Sequence, residues 1–298
     1  MIILTGTSGF IGTHLQNNLL QSGYPAQGLS LRNSRWENEI TPEAHTIIHL
    51  AGKAHDLKKV ANPSEYYQVN YELTKQLFDA FLESSATVFV FMSSVKAAAD
   101  EVVGFLNEEV SANPQTHYGK SKLLAEQYIV SKDIPEGKRV YILRPCMIHG
   151  PGNKGNLNLL YKLVSKGIPW PLASFENQRS FCSIDNLLFV IKELIEREDI
   201  PSGIYNIADD TSISTNELIQ LIAQSRNKKA FLWAFPISFV KKIARIGDVL
   251  HLPLHSERLQ KLTESYPVSN AKLVKAIGKP LPVTAKEGLL KTFESFTT

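Results

Sequence analysis

The sequence predicts an α/β fold, a doubly wound parallel sheet with a smaller, partly interleaved C-terminal lobe, on three observations. Strand-length runs in the first half are predominantly apolar, as in IILT (2–5), TIIHL (46–50), TVFVFM (87–92) and RVYIL (139–143). Helical patterns separate these runs. A glycine cluster, TGTSGFIG (5–12), stands where the first run gives way to the first helix. Strands that are apolar on both faces must be covered on both faces, as helical crossovers cover a parallel sheet, and ligands then bind beyond the carboxyl ends of the strands.

Taken in order, IILTG is the first strand and FIGTHLQNNLLQS a helix closed by Gly23. GLSL (28–31) is the second strand and TIIHLAG the next. PSEYYQVNYELTKQLFDAFLES (63–84) follows as one long helix, with Leu73, Leu77, Phe78 and Phe81 on its apolar side. After TVFVFMSS comes the helix HYGKSKLLAEQYIV, in which Leu123, Leu124, Gln127 and Tyr128 recur at helical spacing before Pro135. RVYILRP is the next strand. Beyond GPGNKGN (150–156), Pro169, Pro171, Pro201, Pro236, Pro253, Pro267, Pro280 and Pro282 punctuate shorter elements. Residues 1–155 are therefore read as the first domain and 156–298 mainly as the second, with segments near 180–210, GIYNIA among them, returning to the main sheet.

Composition narrows the function classes. Lys and Arg total 32 against 29 acidic residues, scattered in short pairs such as Lys58-Lys59 and Lys241-Lys242, so no basic stripe for nucleic acid is present. Cys146 and Cys182 form no CxxC motif. Neither a disulfide framework nor a metal site is expected, and a reducing cytoplasm fits. A chain opening on a strand, MIILTG, leaves no room for a cleavable signal peptide. AFLWAFPISFV (230–240) is apolar but too short to span a bilayer. It is read as a buried or domain-capping helix beginning near Pro236, in preference to a membrane-surface contact through its aromatic residues and flanking lysines.

Gly6, Gly9 and Gly12 occupy the turn between first strand and first helix, with Phe10 and Ile11 opening the helix. Without a Cβ, glycine permits the tight turn, lets backbone approach a pyrophosphate, and lets helix pack on strand. The helix N-terminus offers free N–H groups to phosphates. In this position the motif points to a dinucleotide. Where the second strand of such folds ends in an acidic residue for the ribose hydroxyls, this chain reads GLSLRNSR, with Arg32 and Arg35 instead. Arginine accommodates a 2′-phosphate, which favours NADP(H), with NAD as the alternative. Simply solvated arginines would read the same way.

HYGKSK (117–122) sets Tyr118 and Lys122 four residues apart, neighbours on one helical face. An ordinary surface helix has the same spacing. The ordered set of motifs goes further: TGTSGFIG, HLAG (49–52), Asn70 with Thr74, MSSVK (92–96), HYGKSK, LRPCMIHGPG (143–152), QRSFCSIDNL (178–187) and YNIAD (205–209). With these the chain resembles the extended short-chain dehydrogenase/reductase family. Within it the likeness is to the nucleotide-sugar epimerase, dehydratase and 4-ketoreductase branch, including the UDP-glucose 4-epimerase-like members.

The resemblance implies a Rossmann-type fold and a set of roles. Tyr118 would exchange a proton with the C4 oxygen of a hexose while hydride passes between C4 and nicotinamide, its phenol pKa lowered by Lys122 and the cationic ring. Lys122 would also bind the nicotinamide ribose, and Ser94 would hydrogen-bond the reacting oxygen, with Ser93 structural. Leu50, Ala51 and Gly52 would line the cofactor cleft beside Gly6, Gly9, Phe10, Ile11, Gly12 and Arg32. Arg179, Arg258, Asn156 and Lys96 would meet the substrate, a UDP-linked sugar. Helices 63–84 and 117–130 would form a homodimer.

Departures from the pattern limit the chemistry. Val95 and Lys96 follow Ser94 where dehydratases carry an acidic pair, so 4,6-dehydration is not expected. Little chain separates GLSL from TIIHL, so the family's third strand is reduced or absent. His149 replaces a common tyrosine and is read as a packing residue. The expected activity is NADPH-dependent reduction of a UDP-linked 4-keto deoxy or acetamido hexose for surface polysaccharide, with UDP-hexose 4-epimerisation as the alternative. A non-catalytic dinucleotide sensor is the contrasting class, and retention of Ser94, Tyr118 and Lys122 together argues against it.

Overall fold

The computed structural model describes residues 1–53, 62–153, 155–250 and 254–296. The Lys58-Lys59 pair, Lys154 and Pro253 lie outside these residues. The first half runs β1 (Ile2–Thr5), α1 (Phe10–Gln21), β2 (Ala26–Leu29), β3 (Thr46–His49), α2 (Pro63–Tyr67), α3 (Leu73–Glu83), β4 (Val88–Met92), α4 (His117–Val130) and β5 (Arg139–Pro145). The second runs β6 (Met147–His149), α5 (Asn156–Ser165), β7 (Phe181–Ser183), α6 (Ile184–Glu196), β8 (Gly203–Ile207), α7 (Thr215–Gln224), α8 (Ile237–Leu250), α9 (Ser256–Thr263), α10 (Ala271–Ile277) and α11 (Ala285–Glu294).

The main sheet has the order β2-β1-β3-β4-β5-β8, and every neighbouring pair is parallel. Successive strand residues feed opposite faces. Ile2, Leu4, Ile48, Val88, Val90 and Leu143 join one core with Leu15 and Leu19 of α1 and Leu187 and Ile191 of α6. Ile3, Ile47, Phe89, Phe91 and Ile142 join the other with Leu77, Phe78 and Phe81 of α3 and Ala125 and Ile129 of α4. This two-sided burial is why the strands read as unbroken apolar runs. A smaller core gathers Leu157, Tyr161, Leu218, Ile222 and Phe293 of α5, α7 and α11.

The chain leaves β1 for β2 on one side and then returns to build β3 on the other, so the order reverses between β1 and β3. The crevice at their carboxyl ends is where doubly wound folds hold ligands. Only a short 3₁₀ turn, Trp36–Glu39, stands between β2 and β3, so no third strand extends that edge.

Four local expectations are revised. β2 covers 26–29 in place of 28–31, because its register is set by pairing Ala26 to Leu29 against the four residues of β1. The helix expected over 63–84 is interrupted by a turn of π-helix, Gln68–Glu72, which buries Asn70. In α4 the buried face is not that of Leu124 and Gln127, both exposed, but that of Ser121, Lys122, Ala125, Glu126 and Ile129. Finally, α8 does begin just after Pro236, yet only Val240, Ala244 and Gly247 are buried, and most of its apolar side chains face outward. Among the described residues no helix is long and apolar enough to cross a membrane.

Candidate active site

The glycine turn is built by close backbone approach. Gly6 sits at φ +72°, in the left-handed region, and a Cβ there would stand 2.7 Å from the Ala51 amide nitrogen. A Cβ on Gly12 would stand 2.2 Å from the Gly6 carbonyl oxygen. Both glycines therefore hold the ends of β1 and β3 and the start of α1 together in a way no side chain permits. Gly9 caps α1 with no side-chain hydrogen bond, leaving first-turn amides available to an anion. Phe10 and Ile11 are half-buried against the sheet core. Arg32 and Arg35 are exposed just beyond β2, whose Gly28 lies against Thr7 of the turn. The uncapped helix and the Cβ-free cradle fit a dinucleotide.

From the end of β3 a buried polar chain leads to α4. Thr5 Oγ1 receives the Ala51 N–H at 3.1 Å and pairs with His49 Nδ1 at 2.7 Å, while His49 Nε2 pairs with Thr74 Oγ1 at 2.9 Å. Thr74 donates to the Asn70 carbonyl, and the Asn70 side chain donates to Ser121 Oγ at 3.0 Å. Complete burial holds the His49 imidazole down to about 3, with the Lys122 charge a lesser cause, so the ring is neutral near pH 7. A Cβ on Gly52 would lie 3.1 Å from both Asn70 Oδ1 and Lys122 Nζ, which shows how closely the β3 end approaches the lysine.

Lys122 is buried and donates to the Met92 carbonyl at 2.7 Å, with its ammonium 4.8 Å from the Phe91 ring centroid. Burial lowers its pKa to about 8, opposed by Glu126. One turn on, Glu126 accepts from Arg144 Nε at 3.0 Å and from Ser93 Oγ, forming a buried ionic cluster. Sequence periodicity gave no sign of Glu126 or Arg144. The one available signal was a charged residue four positions from Lys122 on the same helical face.

Ser94 caps the short turn Val95–Ala97 and hydrogen-bonds Tyr118. That meeting depends on Gly119, where a Cβ would fall 2.3 Å from the Lys96 carbonyl oxygen and 2.8 Å from Pro114. The glycine in HYGKSK thus lets the start of α4 press against the turn that carries Ser94. Thr116 caps α4 by accepting from the Gly119 N–H, and Asp100 accepts from the amides of Gln115 and Thr116. Burial raises the Tyr118 pKa, with the Ser94 hydrogen bond opposing it. The Lys122 ammonium is directed to the Met92 carbonyl.

Tyr118 opens onto a cleft of about 790 Å³, walled on one side by Lys96, Asp100, Glu101 and Thr116 and on the other by Glu257, Gln260, Lys261 and Glu264 of α9 and its end. Lys96 donates to the Asp100 carbonyl at 2.8 Å and lies 4.2 Å from the Tyr266 ring centroid. Arg179 donates to the carbonyls of Glu264 and Lys261 and faces the Glu264 carboxylate at 3.5 Å. It is therefore engaged by the cleft wall. Arg258 is exposed on α9 and Asn156 is exposed at the start of α5, and neither lines the cleft. Gln260, Lys261 and Glu264 do line it, although nothing in their spacing singles them out.

Comparison with known proteins agrees with this geometry. Residues 2–208 match the NAD dependent epimerase/dehydratase family. UDP-glucose 4-epimerase of Vibrio cholerae is 30% identical, covering 99% of this chain and 95% of that protein. GDP-6-deoxy-D-mannose reductase of Pseudomonas aeruginosa is 26% identical over 74% of this chain and 79% of its own. The solved structure of RMD from Pseudomonas aeruginosa complexed with NADPH superimposes with a TM-score of 0.72 at 22% identity, covering 99% of this chain and 98% of that one. The fold is thus that of dinucleotide-dependent sugar-nucleotide enzymes. The chain is an enzyme and belongs to the NAD dependent epimerase/dehydratase family.

Proposed function

We propose that the protein reduces the C4 ketone of a UDP-linked deoxy or acetamido hexose, using NADPH. The observation that carries this reading is Tyr118, a half-buried phenol hydrogen-bonded to Ser94 at the edge of the cleft, its pKa raised by desolvation. A neutral phenol carries the proton that a reduced C4 oxygen takes up, and it cannot act as a base until it has lost that proton. Reduction calls for a donor at the C4 oxygen. The nicotinamide, when bound, supplies the hydride. Ser94 orients the ketone oxygen towards Tyr118, and Lys122, buried beneath Gly52, holds the ribose side of the dinucleotide. The Gly6, Gly9 and Gly12 turn would take the pyrophosphate, with Phe10, Ile11, Leu50 and Ala51 against its flanks. Arg32 would meet a 2′-phosphate.

A second reading, 4-epimerisation of a UDP-hexose, is favoured by the full-length likeness to a UDP-glucose 4-epimerase. The two are separated by supplying a UDP-linked 4-keto-6-deoxy sugar with NADPH and following the absorbance of reduced nicotinamide. In parallel, UDP-glucose and UDP-GlcNAc are incubated without added cofactor and examined for the C4 epimer. Loss of NADPH supports the reductase. Epimer formation with no NADPH loss overturns it in favour of the second reading. Titration with NADPH and NADH addresses the cofactor separately: Arg32→Ser should weaken NADPH by about tenfold, the scale of one exposed phosphate contact, while leaving NADH unchanged.

A further inference from the structure

Residues 226–247 hold six Lys and Arg and no Asp or Glu, in a chain whose charges otherwise nearly balance. Within this stretch an extended segment precedes α8. Leu232 and Ala234 pair inward with Trp170 and Leu172, so the alternating Phe231, Trp233 and Phe235 point outward. Trp233 lies 6.0 Å from Phe235, and Phe235 lies 6.1 Å from Phe239 of α8, between ring centroids. The aromatic row then continues along the helix. Phe239, Ile243, Ile246 and Leu250 fall within about 60° of one another on a helix of 3.6 residues per turn, and they are 50%, 38%, 54% and 62% exposed.

This face is held firmly. Val240, Ala244 and Gly247 bury the neighbouring stripe of α8, and a Cβ on Gly247 would stand 1.9 Å from the Leu254 carbonyl oxygen. Asp248 receives the N–H of Ser256, the first residue of α9, at 2.8 Å. Basic groups border the apolar surface at both ends. Lys241, Lys242 and Arg245 lie along α8, while Arg226, Lys228 and Lys229 line a groove of about 220 Å³ beside Phe231.

We infer that this face docks on the surface of an anionic lipid bilayer. A fixed apolar stripe with an aromatic belt and cationic flanks matches the interface between acyl chains and headgroups, and a Trp among them suits that boundary. The absence of acidic residues from 226–247 sets the face against a cationic partner and with anionic headgroups. Because α9 packs on α8 and supplies one wall of the cleft, docking holds that wall next to the lipid.

The full-length protein reports its own docking, since Trp36 and Trp170 are buried and Trp233 is 53% exposed. Phosphatidylcholine vesicles with and without phosphatidylglycerol are added at low salt, and tryptophan emission and co-sedimentation are recorded. Expected are a blue shift and pelleting with the phosphatidylglycerol vesicles, both diminished by added salt. The double variant Lys241→Gln/Lys242→Gln should bind at least about tenfold more weakly, at roughly fivefold per cation. Phe239→Ser/Ile246→Ser should lose most binding while keeping the wild-type melting temperature. No shift and no pelleting with anionic vesicles overturns the inference. So does a shift that grows with protein concentration alone, with a doubled mass in sedimentation equilibrium, because a second copy then covers the face.

Discussion

The two walls that meet at Tyr118 are made differently. On the side of the sheet and α4, polar groups are fixed by buried partners and by backbone contacts that only glycine allows, at Gly6, Gly12 and Gly119. On the side of α9, Glu257, Lys261 and Glu264 are partly or fully exposed and pair chiefly with one another and with Arg179. A preorganised wall keeps reacting groups in place at no cost when substrate arrives. A wall of solvated side chains can change its contacts without disturbing the fold. In the proposed function the chemistry therefore belongs to the first and the choice of sugar to the second.

The sharpest way to break this contrast is to remove one member of the buried ionic cluster. Arg144→Leu strands the Glu126 carboxylate, and such uncompensated buried charges cost about 3–5 kcal/mol, read as a lower midpoint in denaturant titration. A loss below ~1 kcal/mol would mean that the cluster is solvated and the preorganised wall is not what the structure describes. Tyr118→Phe removes the proposed proton donor and should lower kcat at least ~100-fold with dinucleotide affinity within a few fold. Unchanged turnover would sink the assignment of Tyr118. Gly119→Ala forces a Cβ against the Lys96 carbonyl and should cost about 1–3 kcal/mol of stability, together with a fall in kcat and no matching rise in KM.

The His49 imidazole sharpens the comparison through pH. Its folded pKa of about 3 lies below the unfolded value of 6.5, so the unfolded chain binds more protons between those limits. Stability must then rise with pH across that window and be lost as pH falls from about 6.5 towards 3. His49→Asn should flatten this acid limb whatever it does to stability at neutral pH, and an equally steep limb would show that His49 does not titrate there. The smallest effect is expected on the other wall. Lys261→Ala should change KM by only a few fold, the scale of an exposed ion pair, with kcat and melting temperature unaltered.

Much of the frame was legible in the residues. Apolar runs of four to six residues, separated by helical periodicity, are what two-sided burial requires. The glycine turn was legible for the same kind of reason, since Gly6 and Gly12 stand where backbone meets backbone. Tyr118 and Lys122 were visible as neighbours because spacing of four on a helix is a local fact. What lay beyond local pattern was the environment of each group. Desolvation raises the Tyr118 pKa, and no periodicity reports desolvation by distant segments.

The sequence by itself determined the parallel sheet, the nucleotide turn and the pair on α4, because each depends on neighbours within a turn or a strand. Tertiary structure alone decided that α4 turns Lys122 and Glu126 inward. Their partners are the Met92 carbonyl, 30 residues away, and Arg144, 18 residues away, and a charge is buried only where such a partner waits. It also decided that α9 closes the cleft while Arg258 and Asn156 stay outside it, and that α8 shows its apolar face to the surroundings. Amphipathic spacing tells which residues share a face, and only the packed chain tells what that face meets.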